Sequence, residues 1–161
     1  MTMQELAADE NLLVKKSIHV AASPARAFEV FTKQMTSWWP LVSHKIGKVD
    51  AKEAVVEPRV GGRWFERGVD GSECDWGKVL AWDPPSRLVL AWQISADWQF
   101  DAKLDTQVEV RFVADGAGTR VELEHRLLEN YGARAPEMKG IFDSAGGWTG
   151  LLGAFAKAAA G

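Results

Sequence analysis

Two hydrophobic periods divide this chain. Over residues 107–113 and 120–127 apolar and polar residues alternate, which is the period of strands with one face buried and one face wet. Val108, Val110 and Phe112 share one face; Val121, Leu123, His125 and Leu127 share the matching one, while Glu109, Arg111, Glu122, Glu124 and Arg126 face away. Asp115-Gly116-Ala117-Gly118 supplies the turn between them. Over residues 141–160 the period is helical. Ile141, Trp148, Leu152 and Phe155 form a stripe widened by Leu151 and Ala156, so one face of a C-terminal helix must be buried. Gly146, Gly147, Gly150 and Gly153 interrupt that stripe, and each costs a helix about 1 kcal/mol relative to alanine. Either backbone packs closely against a sheet there, or small residues leave room for a ligand between helix and sheet; the two readings are compatible.

The pattern elsewhere completes the order of elements. Residues 1–11 are polar and carry no strong period, which predicts a frayed leader or a short helical arm ahead of a single domain over 12–160. Residues 12–20 read as a first strand. Ser23-Pro24 then starts a helix, with Ala27, Phe28, Val30 and Phe31 as its apolar face and an end near Lys33. A second short helix is expected over 35–39, stopped by Pro40, and residues 41–50 form a loop. Short strands follow at 54–58, 63–67, 73–82 and 87–93, with turns at Gly61-Gly62, Asp70-Gly71 and Asp83-Pro84-Pro85-Ser86. Residues 94–106 make a polar link carrying Trp98 and Phe100, and residues 128–140 a second long loop. The expected architecture is therefore α+β: a curved antiparallel sheet of about seven strands wrapped around a long C-terminal helix, with two short helices after the first strand. A meander of that length curls, and its concave apolar face needs a cover.

Composition narrows the function classes. A formal net charge of -3 leaves no basic footprint for nucleic acid. No apolar run approaches the roughly 18 to 20 residues of a membrane span, and Glu5, Asp9 and Glu10 do not fit a signal peptide. These features, with the single cysteine, Cys74, point to a cytoplasmic protein without membrane or nucleic-acid partners. Eight tryptophans against one tyrosine is the outlier. That many indoles fill a core or line a cavity, since pockets are mostly apolar and aromatic with a few polar groups.

Chemical motifs are sparse. No serine sits in a nucleophile elbow, Cys74 has no histidine partner by sequence, and His19, His44 and His125 lack metal-ligand spacing, so no catalytic residue, cofactor or metal is assigned. Gly61-Gly62 leads into a strand, unlike a phosphate loop. His44 reads as a solvated loop residue. His125 points inward and needs a partner, either as a satisfied core histidine or as a cavity group that orients a ligand or moves protons. Arg63, Glu66 and Asp75 sit in strands where one bulge would invert the facing, and a solvated face is the simpler reading.

Several segments together resemble a known superfamily. Ser23-Pro24-Ala25 opening a helix with Ala27-Phe28 and Phe31-Thr32, followed by Trp38-Trp39-Pro40, is similar to the START and birch-pollen-allergen (Bet v 1-like) superfamily, also called SRPBCC. Pro58-Arg59-Val60-Gly61-Gly62-Arg63-Trp64, Gly77-Lys78-Val79, Asp83-Pro84-Pro85 with Arg87-Leu88-Val89 and Trp92, residues 119–125, and Gly147-Trp148 resemble its branch named for the activator of heat-shock-protein ATPase. The resemblance spans roughly residues 12–155 and implies a helix-grip fold with a hydrophobic cavity between sheet and C-terminal helix. It implies no single activity, since members include lipid and hormone carriers, polyketide cyclases and a co-chaperone.

Three function classes follow. The first is binding of a small hydrophobic or aromatic molecule in that cavity, with Trp38, Trp39, Trp64, Trp76, Trp92, Trp98, Phe112, His125, Phe142, Trp148 and Leu152 as the expected ligand-binding residues. The second is a cyclase- or dehydratase-like enzyme using the same cavity, so whether the protein is an enzyme stays open. The third is a protein-interaction module with a chaperone partner. A homodimer fits any of the three.

Overall fold

Ser23 starts the first helix as its sequence demands: its hydroxyl accepts from Arg26 N at 3.2 Å and Pro24 occupies the first turn. The structure is a computed structural model and describes residues 12–161; the expected leader at 1–11 lies outside the described residues. Helix α1 (Pro24–Thr32) follows strand β1 (Val14–Val20), and a 3-10 turn (Met35–Ser37) replaces the longer second helix expected up to residue 39. Six further strands come next: β2 (Ala51–Val56), β3 (Arg63–Gly68), β4 (Glu73–Asp83), β5 (Arg87–Trp92), β6 (Thr106–Asp115) and β7 (Gly118–Arg126). All seven form one antiparallel sheet in the order β1-β7-β6-β5-β4-β3-β2. Only β1 pairs out of sequence: it joins β7, so the first and last strands lie side by side, and the C-terminal helix packs on β1.

That helix differs from the sequence expectation. The stripe over residues 141–160 is not one helix. A 3-10 segment (Leu128–Arg134) and helix α2 (Ala135–Asp143) occupy what reads as a loop, and the chain breaks at residues 144–147 before helix α3 (Trp148–Ala160). The break has a steric cause. A side chain on Gly147 would collide with the carbonyl oxygens of Ile141 and Phe142, so the turn folds back onto α2 with only glycine to spare. Helix α3 then buries Trp148, Leu151, Leu152, Phe155 and Ala159, each large side chain contributing roughly 1.5–3 kcal/mol of apolar burial. Gly153, by contrast, meets nothing and has no packing reason to be glycine.

Facing along the strands follows the alternation, with corrections at three bulges. In the β3–β4 pair Trp64 faces Gly77 and Phe65 faces Asp75, leaving Trp76 as the extra residue. Trp64 and Glu66 share the concave face by alternation, and the bulge adds Trp76 to it; all three are buried. Arg63 and Asp75 stay outside, paired at 2.7 Å, and Arg63 stacks over Phe65 with its guanidinium carbon 4.0 Å from the ring centroid. The solvated reading therefore holds for Arg63 and Asp75 and fails for Glu66. Leu127 is also corrected: it takes a left-handed conformation (φ 64°) that ends β7 one residue early, and Leu128 fills the buried position instead. On the convex side Glu109 gathers Arg87, Arg111 and Arg126 at 2.7, 2.8 and 2.6 Å. Its burial opposes ionisation, and the hydrogen bonds from Arg87 and Arg126 outweigh that, so its carboxyl ends below the usual range.

Candidate functional site

The concave face is filled unevenly. Toward α1 it is closed by edge-packed rings: Phe28, Phe31, Phe112 and Phe155, with Phe31 5.2 Å or less from none but Phe155 and Trp38, at 5.1 Å each. Toward the start of α3 the packing opens into a cavity of about 510 Å³. Four indoles, Trp39, Trp76, Trp92 and Trp148, form its inner walls together with Phe142. Ile94 and Trp98 close one side, Ile141, Gly146, Gly147 and Leu151 another, and the loop residues Ser43, His44, Lys45 and Ile46 the rim.

Three of the four wall indoles are held by their N–H, which is why tryptophan and not phenylalanine suits those positions. Trp39 Nε1 donates to His44 O at 2.9 Å and Trp76 Nε1 to Glu66 Oε1 at 2.9 Å. Trp148 Nε1 donates to His125 Nδ1 at 3.1 Å. Since an indole N–H only donates, His125 Nδ1 is unprotonated and the ring proton lies on Nε2. Nε2 then donates to Thr106 Oγ1 at 3.1 Å, and Thr106 passes its own proton to Trp92 O at 2.8 Å. Both His125 nitrogens and the Thr106 hydroxyl are satisfied with the histidine neutral. Complete burial pushes the imidazole down to about 3, which keeps it neutral at any ordinary pH. His125 is thus a satisfied core histidine that fixes Trp148, and it has no lone pair free to take a proton from a ligand.

Glu66 does the equivalent work on the other wall. It is 2% exposed, and besides Trp76 it accepts from Ile46 N at 2.6 Å and Gly47 N at 3.1 Å. One buried carboxylate therefore joins the rim loop to the tryptophan wall, its charge met by three N–H donors in place of a cation. The loop is clasped from its other side by His44, whose Nε2 lies 2.7 Å from Gly146 O at the α2–α3 break. This corrects the solvated reading of His44. A carbonyl accepts, so Nε2 carries a proton, and Nδ1 faces Ser43 Oγ at 2.7 Å. The Ser43 hydroxyl can donate to a neutral ring or accept from a charged one, so both bonds survive protonation of His44.

Of the sequence-expected ligand residues, Trp39, Trp76, Trp92, Trp98, Phe142 and Trp148 line the cavity. Trp38, Trp64, Phe112, His125 and Leu152 are buried behind it: Trp38 donates to Val30 O at 2.9 Å and Trp64 to Met35 Sδ at 3.3 Å. Sequence reasoning missed the rim loop and Glu66. The loop has no period to read, and Glu66 carried only the signal of a carboxylate between two aromatic-rich strands. Trp98 is 42% exposed with a left-handed backbone (φ 61°) that an aromatic residue rarely adopts. Hydrogen bonds from Asp97 N and Gln99 N to Ser95 Oγ, both 3.3 Å, and the Arg134–Asp97 ion pair at 2.7 Å hold that turn over the mouth.

The polar groups form no hydrolytic site. Ser43 and His44 are adjacent, but the far nitrogen of the ring meets a carbonyl and not a carboxylate, so nothing stabilises an imidazolium as a triad acid does. Cys74 is half-buried outside the cavity, and burial followed by the charges of Glu66 and Asp75 pushes its thiol up, away from the reactive thiolate. Among the described residues no three or more His, Cys, Asp or Glu side chains group to hold a metal, and no helix is long and apolar enough to cross a membrane.

Comparison with known proteins agrees with this architecture. An anthrahydroquino-γ-pyrone synthase, Txn09, is 42% identical over 90% of this chain and 95% of its own, with a TM-score of 0.64. CalC from Micromonospora echinospora, described as a self-sacrificing resistance protein, is 30% identical over 91% of this chain and 93% of its own, with a TM-score of 0.68. An Aha1 dimer from Colwellia psychrerythraea superposes with a TM-score of 0.57 at 15% identity, over 91% of this chain and 94% of its own, which shows the fold alone. A search of curated proteins finds no match to the sequence. The family model described as "Activator of Hsp90 ATPase homolog 1-like protein" matches residues 21–160, and with the helix-grip fold and its cavity this chain belongs to that branch of the START and Bet v 1-like superfamily.

Proposed function

We propose that the protein binds a planar, polycyclic aromatic molecule in the cavity between the sheet and the start of α3. The observation that carries this reading is the wall itself. Four indoles and Phe142 surround about 510 Å³, within the usual size of a small-molecule site, and three of the indoles are locked by hydrogen bonds so that their faces are fixed before a ligand arrives. Preorganised aromatic faces favour flat aromatic ligands, because the walls lose little freedom on binding. Trp98 at the mouth provides a ring that covers the ligand's outer edge.

A second reading is favoured by the 42% identity to a γ-pyrone synthase: the same cavity folds a reactive aromatic precursor and promotes ring closure. Enclosure in a fixed geometry supplies most of such an acceleration. His44, with Ser43 beside it, is the imidazole on the cavity rim and the residue to move a proton there. His125 is excluded from that role because it is fully buried behind the wall and does not line the cavity, whereas the Ser43 hydroxyl gives His44 a route to it. A chaperone partner and a homodimer are not needed by either reading.

Tryptophan fluorescence during titration with hydroxymethyl anthraquinone tests the binding reading. Saturable quenching that is lost in Leu151→Trp, which fills the cavity from α3, is the expected result. A linear, non-saturating response in the wild type would overturn it. The enzymatic reading is tested with hydroxylated aromatic β-diketones, whose cyclisation to pyrones is followed by mass loss of water and should fall in His44→Ala.

A further inference from the structure

The charge lining the cavity is one-sided, and on the binding reading above that asymmetry describes the ligand. Lys45 is the single charged side chain among the residues that line it, and no carboxylate lines it. Lys45 makes no ion pair among the described residues; its Nζ hydrogen-bonds only to Gly47 O, at 2.6 Å, two residues along the same loop. The acid that holds the loop, Glu66 of β3, is already met by Ile46 N, Gly47 N and Trp76 Nε1 and makes no ion pair with the ammonium.

Deeper in the wall, Trp92 Nε1 is the one buried side-chain polar atom of the described residues without a close hydrogen bond, and it faces the Tyr131 oxygen, which donates its own proton to Ile94 O at 2.6 Å and keeps its lone pairs. The group left over for a ligand is therefore the rim cation, which favours an anion and disfavours a second cation.

We infer that the molecule held by this cavity is a planar aromatic bearing an acidic group ionised near neutral pH, a carboxylate or an acidic phenol, with the anion at the rim against Lys45. The ammonium on its flexible stem reaches such an anion without moving the wall, and a charge-assisted hydrogen bond in a half-buried rim is worth more than a neutral one.

The test compares two probes of the same size and aromatic shape: anthraquinone carboxylate and hydroxymethyl anthraquinone. Each is titrated against wild type, Lys45→Met and Lys45→Arg, with thermal unfolding of each variant confirming the fold. In the wild type the carboxylate is expected to bind about tenfold more tightly than the alcohol. That ratio should fall to about one in Lys45→Met, which keeps the apolar stem, and persist in Lys45→Arg. Equal affinities in the wild type, or a preference that survives Lys45→Met, overturn the inference while leaving the cavity reading intact. Binding of neither probe overturns the cavity reading and this inference with it.

Discussion

The two ends of the concave face are built from the same material and do different jobs. At the α1 end Phe28, Phe31, Phe112 and Phe155 meet edge to face at 5.1 to 5.9 Å with no polar group among them, and nothing is left open. At the α3 start the rings are tryptophans, three of the four placed by a hydrogen bond to a loop carbonyl, a buried carboxylate or a buried histidine, and a cavity remains. The contrast teaches that the open end depends on polar anchors. A phenylalanine cluster is stable because it collapses; a set of indoles stays apart only if something holds each one back.

The largest expected effect lies at the closed end. Phe155→Ala should destabilise the fold by about 3–5 kcal/mol, read by urea denaturation, while the folded fraction keeps its ligand affinity. A loss of binding out of proportion to the loss of fold would erase the division between the two ends.

Next in size is the pH response of the histidine anchor. Burial holds the folded His125 imidazole down to about 3 against an ordinary 6.5, so the unfolded chain binds the proton more readily. The stability this group contributes is complete above about pH 6.5 and falls as pH drops from there toward about 3, by at most roughly 1.4 kcal/mol per pH unit. Denaturation midpoints between pH 7 and pH 4 should show that slope in the wild type and lose it in His125→Gln.

The carboxylate anchor comes third. In Glu66→Gln one oxygen becomes an amide that opposes Gly47 N–H, so one loop bond is replaced by two donors facing each other, at a cost of about 1–3 kcal/mol. Amide hydrogen exchange at Ile46 and Gly47 should speed up, with weaker ligand binding; unchanged protection would remove Glu66 from the account of the wall.

The smallest effects separate the two ends of α3. Gly147→Ala forces a collision with the Ile141 and Phe142 carbonyls and should lower both stability and affinity. Gly153→Ala meets open space and should stabilise by about 0.4–1 kcal/mol with binding unaltered.

Much of this was legible in the sequence because it rests on period. Strands β6 and β7 alternate, Ser23-Pro24 caps, and the tryptophan load announces an aromatic interior. What escaped rests on register and on irregular backbone. Glu66 shares a face with Trp64, and the bulge in the neighbouring strand swings Trp76 onto that face to meet it; a bulge leaves no mark on a two-residue period. The break at residues 144–147 hid inside a stripe whose apolar spacing continues across it, and its cause is a contact between Gly147 and carbonyls that no residue pattern displays. His44 and Lys45 lie in a loop whose shape comes from Glu66 and Gly146, residues far away in the chain. Among the eleven expected ligand residues, Trp38, Trp64, Phe112, His125 and Leu152 miss the cavity but are buried on the same apolar face, and in the sequence they carry the same inward-facing signal as those that line it.

The most direct test of the central claim follows the eight indole N–H resonances by NMR during titration with hydroxymethyl anthraquinone. The account predicts large, saturable shifts for Trp39, Trp76, Trp92 and Trp148, a shift for Trp98 at the mouth, and none for Trp82, which packs on Phe28 at the closed end. Shifts centred on Trp82 and Trp38, or confined to the exposed Trp98, would place the ligand outside the cavity and contradict it.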